Sequence, residues 1–248
     1  FAEGLAKVTQ AGAISDAING ANAIADICMA QGRLREAMRT YEQGLQLAVE
    51  HGDPALRGTA DILVGMSDIH RERNELHLAE QKLLKSKEQG EHTGFPQFRY
   101  RWSVSMSRLR EAQGDLNGAL DLLLEAESLF ASDFFLDVRP TAALKTRVWI
   151  GQGRLGETFD WVREKGLSVH DDLCYAREYE HVTLARVLLA QYKMGQADHS
   201  LREALGLLER LLQEAEAGGR MGSMIEILVV QAVAYQMQGN MPAAVRQL

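Results

Sequence analysis

Three arginines stand in matching frames: Arg108-Leu-Arg-Glu-Ala-Gln, Arg147-Val-Trp-Ile-Gly-Gln and Arg186-Val-Leu-Leu-Ala-Gln. A guanidinium is a planar fork of donors, so a column of them suits an anionic or polyhydroxylated solute. Tyr100, Arg101, Trp149 and Tyr179 are near enough in register to add stacking or hydrogen bonds. The same column carries Asp26 and Asp68 upstream and Val233 downstream, so one line should have an acidic and a basic stretch. The alternative is that each arginine pairs with a nearby acid, Glu111, Glu178 and Glu180 being candidates, and merely solvates a helix face.

Other chemistry is weakly represented. Gly218-Gly219-Arg220-Met221-Gly222-Ser223 is glycine-rich but lacks the Gly-Lys-Ser/Thr that cradles a nucleotide, and reads as a turn capping two helices. The histidines are scattered, and neither His-x-x-x-His nor a paired cysteine spacing offers a metal site. His170-Asp171-Asp172 reads as a solvated turn, because three adjacent loop residues cannot surround a cation. No Gly-x-Ser-x-Gly elbow occurs. These absences argue against an enzyme, and no cofactor or metal is expected in the segment.

The elements that hold the arginines follow from a repeat. At Gln113-Gly114-Asp115-Leu116 a helix ends, Gly114 supplies a left-handed turn and Asp115 can cap the next helix. Leucine follows the turn by two residues and a small residue by five, and this pattern returns along the chain at Gly32, Asn74, Gly153 and Gly239. The small column reads Ala37, Ala79, Ala119, Thr158, Ala204 and Ala244, in steps of 42, 40, 39, 46 and 40 residues. Seven residues before each turn lies a second small column: Ala25, Ser67, Ser107, Thr146, Ala185 and Ala232, with Tyr192 taken as the fifth turn. A period near 40 residues means stacked helical pairs, and a small residue at that height lets paired helices approach closely. The expected fold is an all-α, right-handed superhelical solenoid of eleven to twelve helices, counting partial ones at each end.

The units are expected at Ile14–Gln31 with Leu34–Glu50, Ala55–Arg73 with Leu76–Gln89, and Phe98–Gln113 with Leu116–Phe130. Thr141–Gln152 with Leu155–Lys165, Tyr175–Gln191 with Leu201–Ala217, and Arg220–Gln238 with a short last helix complete the series. The fifth turn, Tyr192 to His199, is about seven residues longer than its sisters. Pro54, Pro96, Pro140 and Pro242 fall outside helix interiors, as helices require. Phe134 and Phe135 lie in an apolar exit loop and are expected to plug a groove between neighbouring pairs.

A hydrophobic content of 46% is ample for a core. Net charge is −7, from 27 basic and 34 acidic residues without a basic run, which argues against direct DNA binding by this segment. Cys28 and Cys174 are far apart in a fold of short-range contacts, so both are expected reduced and the protein cytoplasmic. No apolar run reaches the ~18 residues that span a bilayer. The chain opens on Phe1, Leu5 and Val8, spaced like the tail of a helix, and stops inside another. One repeat domain over 1–248, cut from a longer chain, is the expected organisation.

The turn signature and small columns resemble tetratricopeptide repeats in their longer form. Arg71-Glu72-Arg73-Asn74-Glu75-Leu76 and the stretches 133–140, 177–188 and 220–228 resemble the repeat region of MalT-like, large LuxR-type transcriptional regulators. That resemblance implies an effector-sensing and self-association module, with nucleotide-binding and DNA-binding modules elsewhere. Its implied partner is a small-molecule inducer, anionic or sugar-like; the alternative is a generic scaffold for a peptide or partner protein. In such units the column six residues before the turn faces the concave groove. Arg108, Arg147 and Arg186 would then line the inner wall about 10 Å apart, where mutual repulsion in water is only about 0.4 kcal/mol per pair.

Overall fold

The computed structural model describes residues 14–52, 56–93, 97–129, 139–195 and 198–248. Expectations for Phe1, Leu5, Val8, Pro54, Pro96, Phe134 and Phe135 fall outside the described residues. Among those described there are twelve α-helices and no strand. They are α1 Ile14–Ala30, α2 Leu34–Glu50, α3 Thr59–Glu72, α4 Leu76–Thr93, α5 Phe98–Ala112 and α6 Leu116–Leu129. The series continues with α7 Thr141–Gly151, α8 Leu155–Lys165, α9 Glu178–Lys193, α10 Asp198–Ala217, α11 Met221–Met237 and α12 Met241–Arg246. Successive helices form six antiparallel hairpins, and the chain divides into two compact units, Phe1–Ser132 and Asp133–Leu248.

The turn between paired helices has one construction. At Gly32, Asn74, Gly114, Gly153 and Gly239 the backbone takes a positive φ, between 60° and 84°. The N–H of the turn residue bonds back three residues, as from Gly114 to Glu111 O at 3.0 Å, and the next N–H bonds back five, as from Asp115 to Arg110 O at 2.9 Å. These two bonds satisfy carbonyls that the helix end would leave unpaired. Asp115 caps the following helix as its type suggests, its Oδ1 accepting from Gly118 N at 2.9 Å.

Both small columns lie at the helix contacts. Ala37, Ala79, Ala119, Thr158, Ala204 and Ala244 are buried, and so are Ala25, Ser67, Ser107, Thr146, Ala185 and Ala232. The hydroxyls among them add little bulk and return their hydrogen bonds to their own helix: Ser67 to Val64 O, Thr146 to Ala142 O and Thr158 to Leu155 O. In the first unit Ile18, Tyr41, Ile62, Leu63 and Ile69 fill the space between α1, α2 and α3, while Leu83, Phe98 and Leu109 continue the core toward α5. In the second, Trp161, Leu184, Leu189, Leu207, Leu208, Leu211 and Ile227 form one cluster through α8 to α11.

Several boundaries differ from expectation: α4 runs past Gln89 to Thr93, and α9 starts at Glu178, after a short 3-10 turn at Tyr175–Arg177. The first helix of the second hairpin starts at Thr59 and not near Ala55, because Gly58 at φ 95° breaks the backbone just before it. Both ends of the long fifth turn are helix: α9 continues to Lys193, Gly195 takes the positive φ of 78°, and α10 starts at Asp198 instead of Leu201. Ala185 and Ala204 keep their buried places, so the additional residues lengthen both helices beyond them. Ser200, buried in the added turn, donates to Gln191 Oε1 at 3.0 Å and ties the extensions together. A gap measured between two columns shows that residues were added, but a continuing helix and a longer loop consume them equally well.

Candidate functional site

The side chains that could do chemistry gather on the first helices of the hairpins, once in each unit. Two rows supply them. One is the column six residues before the turn; the other lies seven residues farther upstream, two helical turns along the same face. The second row holds Asp61, Arg101, Tyr179 and Glu226.

In the first unit, Arg101 on α5 reaches Asp26 on α1 at 3.4 Å and buried Asp61 on α3 at 3.5 Å. Burial works against the Arg101 charge, but the two carboxylates outweigh it and raise its pKa. Tyr41 donates to Asp26 at 2.8 Å; burial, then that carboxylate, push its phenol pKa well up and keep it a donor. Arg108 meets Asp68 at 3.3 Å and Glu72 at 3.5 Å, with Ser105 donating to Asp68 at 3.1 Å. Each arginine on this face therefore has two carboxylates. Tyr100 is half-buried on α5, one residue before Arg101.

The second unit reverses the ratio. Arg147 on α7 and Arg186 on α9 converge on a single oxygen, Glu226 Oε1 on α11, at 2.5 and 3.3 Å. Arg147 Nε also donates to Thr183 Oγ1 at 2.9 Å, and Thr183 in turn donates to Tyr179 O at 2.8 Å. The Arg147 guanidinium stacks over the Tyr179 ring, 3.7 Å from its centroid, and Arg139 lies 5.7 Å from the same ring. Burial alone would raise the Glu226 pKa, yet Arg147 and Arg186 together hold it down at about 2. Arg186 is affected oppositely: burial first, then the Arg147 charge, lower its pKa.

Two donors of the pair, Arg147 Nη2 and Arg186 Nε, are buried without a hydrogen-bond partner. Trp149 lies two residues from Arg147 and so on another side of α7, flanked by Lys145 at 5.7 Å and Arg154 at 5.8 Å. Arg147, Arg186 and Tyr179 are thus brought together, whereas Arg108, Arg101 and Tyr100 belong to the first unit. Two of the three acids suggested by proximity in sequence are engaged elsewhere: Glu178 pairs with Arg220 at 2.7 Å and Glu180 with Arg177 at 2.8 Å. Glu226, 79 residues beyond Arg147, escapes a search for local pairs. The two-turn offset between the rows was the signal that could have found it.

No group of residues suited to a metal ion occurs among the described residues. The turn 170–172 is more than a solvated loop, because Asp171 accepts from His181 Nε2 at 3.0 Å and Arg210 donates to Val169 O and Asp171 O, both at 2.6 Å. Both cysteines are free, Cys28 buried and Cys174 exposed. No described helix is long and apolar enough to cross a membrane.

No curated protein matches the chain. Among solved structures it is similar to BtubC (BKLC) from P. vanneervenii, at 14% identity and a TM-score of 0.45, over 88% of each chain. The model of the MalT-like TPR region matches residues 3–248, and with its repeated hairpins and turns this chain belongs to that family.

Proposed function

We propose that this chain is the effector-sensing and assembly module of a MalT-like, LuxR-family transcriptional regulator whose nucleotide-binding and DNA-binding modules lie outside the segment. Membership of the MalT-like TPR region supports a sensor and protein-interaction module built of helices. The observation that carries the finer reading is the convergence of α7, α9 and α11 on Arg147, Arg186 and Glu226, with Tyr179 stacked under Arg147. Three helices from three successive hairpins meet there through side chains alone, so a solute seated among them changes how those hairpins hold together. A sensor needs that coupling.

The test is a thermal-shift screen of small solutes against the protein, followed by the same screen on Arg147→Ala and Arg186→Ala. Sedimentation with and without each hit reads the coupling to assembly. A hit that both substitutions weaken, and that changes the sedimentation coefficient, supports the sensor. Hits indifferent to both substitutions, or without effect on assembly, speak for a passive scaffold.

A further inference from the structure

We propose that Arg147 and Arg186 form a binding site for an anionic group, a carboxylate or phosphate, and that Glu226 holds the place of that group when no ligand is bound. This deepens the sensor reading and rests on it. The first observation is stoichiometry. Two guanidinium groups converge on one carboxylate oxygen, whereas in the first unit Arg101 meets two carboxylates, and Arg108 and Arg71 share two more. The pair plus Glu226 carries a net positive charge, and burial first, then the Arg147 charge, lower the Arg186 pKa against the pull of Glu226.

The second observation is the pair of orphan donors. Arg147 Nη2 and Arg186 Nε are buried and unpartnered, two orphan donors on side chains that share one carboxylate oxygen. Such donors cost free energy unless a ligand meets them. The Tyr179 ring lies over the Arg147 guanidinium and leaves its N–H groups free for acceptors: Nε meets Thr183, Nη1 meets Glu226, and Nη2 meets none. A single oxygen cannot satisfy both forks; a tetrahedral phosphate or a second carboxylate can, through several oxygens at once.

The third is access. The Arg186 side chain is 36% exposed and that of Glu226 27%, against 13% for Arg147, so the site opens to solvent on the Arg186 side. A ligand enters beside Arg186, displaces the Glu226 carboxylate and spreads its oxygens over both guanidinium groups. Displacement frees α11 from α7, a link that spans two hairpins, and this is the change a sensor would transmit.

The probes are inorganic phosphate and succinate, titrated at constant ionic strength and followed by thermal unfolding and, for phosphate, by 31P line width. Removing the internal competitor in Glu226→Gln should tighten binding of phosphate or succinate at least tenfold and restore a melting temperature lowered by the substitution. Arg186→Ala, at the exposed edge where folding is least at risk, should abolish the 31P broadening seen with the unsubstituted protein. Phosphate stronger than succinate points to a phosphorylated effector, and the reverse order to a carboxylic acid. No saturable response in the unsubstituted protein or Glu226→Gln, or an equal response in Arg147→Ala/Arg186→Ala, overturns the proposal and leaves Glu226 a structural counter-ion. If neutral sugars bind in an Arg147-dependent way while both anions fail, the sensor reading stands and the anion site falls. If the anions bind as expected without altering assembly, the site stands and the sensor reading falls.

Discussion

Glu226 carries the largest electrostatic consequence of any single residue in the second unit. Its carboxyl is held at about 2 in the folded protein, below its ordinary value of 4.5. A depressed carboxylate contributes stability that is fully present above the unfolded pKa and is lost as pH falls through the folded one. That contribution, on the order of 3 kcal/mol, is therefore expected to disappear between pH ~4.5 and ~2. Acid titration of the melting temperature should show a steep fall in that window, and a shallower one in Glu226→Gln. Coincident curves would mean that Glu226 is not coupled to folding. Asn74 presents a smaller, purely conformational case, since it is a turn residue with a side chain held at φ 60°. Asparagine tolerates that region better than alanine does, so Asn74→Ala should cost about 1 kcal/mol in denaturant unfolding. Asn74→Gly should be neutral within a few tenths of a kcal/mol, as relief of the turn offsets the looser unfolded chain. Equal losses for both would place the role of Asn74 in its side-chain contacts and not in its φ.

At the scale of elements, the closeness of α2 to α3 depends on Gly65. A Cβ there would overlap the Tyr41 ring, which crosses α3 at that point on its way to Asp26. Gly65→Ala gains a little helix propensity yet forces Tyr41 to shift, so a net loss of about 1–3 kcal/mol is expected. A Tyr41→Phe background tests the cause. Without the hydroxyl the ring has more freedom to move, and the penalty of Gly65→Ala should shrink; an unchanged penalty would locate the clash elsewhere. The same scale explains the fifth hairpin. Helix propensity through Leu188-Leu189-Ala190-Gln191-Tyr192-Lys193 is uninterrupted until Gly195, so extending α9 costs less than ordering a long loop.

The molecule as a whole consists of two compact units with separate cores and separate polar clusters. Among the described residues the ion pairs of the first unit run from α1 to α6 and those of the second from α7 to α11. Fragments 1–132 and 133–248 are therefore expected to fold independently, each with a helical circular dichroism spectrum and a cooperative thermal transition. A fragment without such a transition would show that its core needs the other unit. Because Arg147, Arg186 and Glu226 all lie in the second fragment, the Glu226 acid transition should persist in 133–248 and be absent from 1–132.

Sequence alone determined the hairpins, because they rest on local rules kept in full at five of the six turns. A turn residue that tolerates positive φ, an apolar residue two positions on and small residues at two fixed heights are each readable within one period. The arginine column was equally legible, since a fixed distance from a turn is a fixed position on a helix face. Its partners were not. Glu226 meets Arg147 across 79 residues, and Asp26 meets Arg101 across 75. Which first helices approach closely enough for such pairs depends on how hairpins stack, and stacking is set by the summed packing of many side chains. The same reason hid the contrast between the units. Arg108, Arg147 and Arg186 read as one ladder by position, yet tertiary packing supplies Arg108 with two carboxylates and leaves Arg147 and Arg186 to share one.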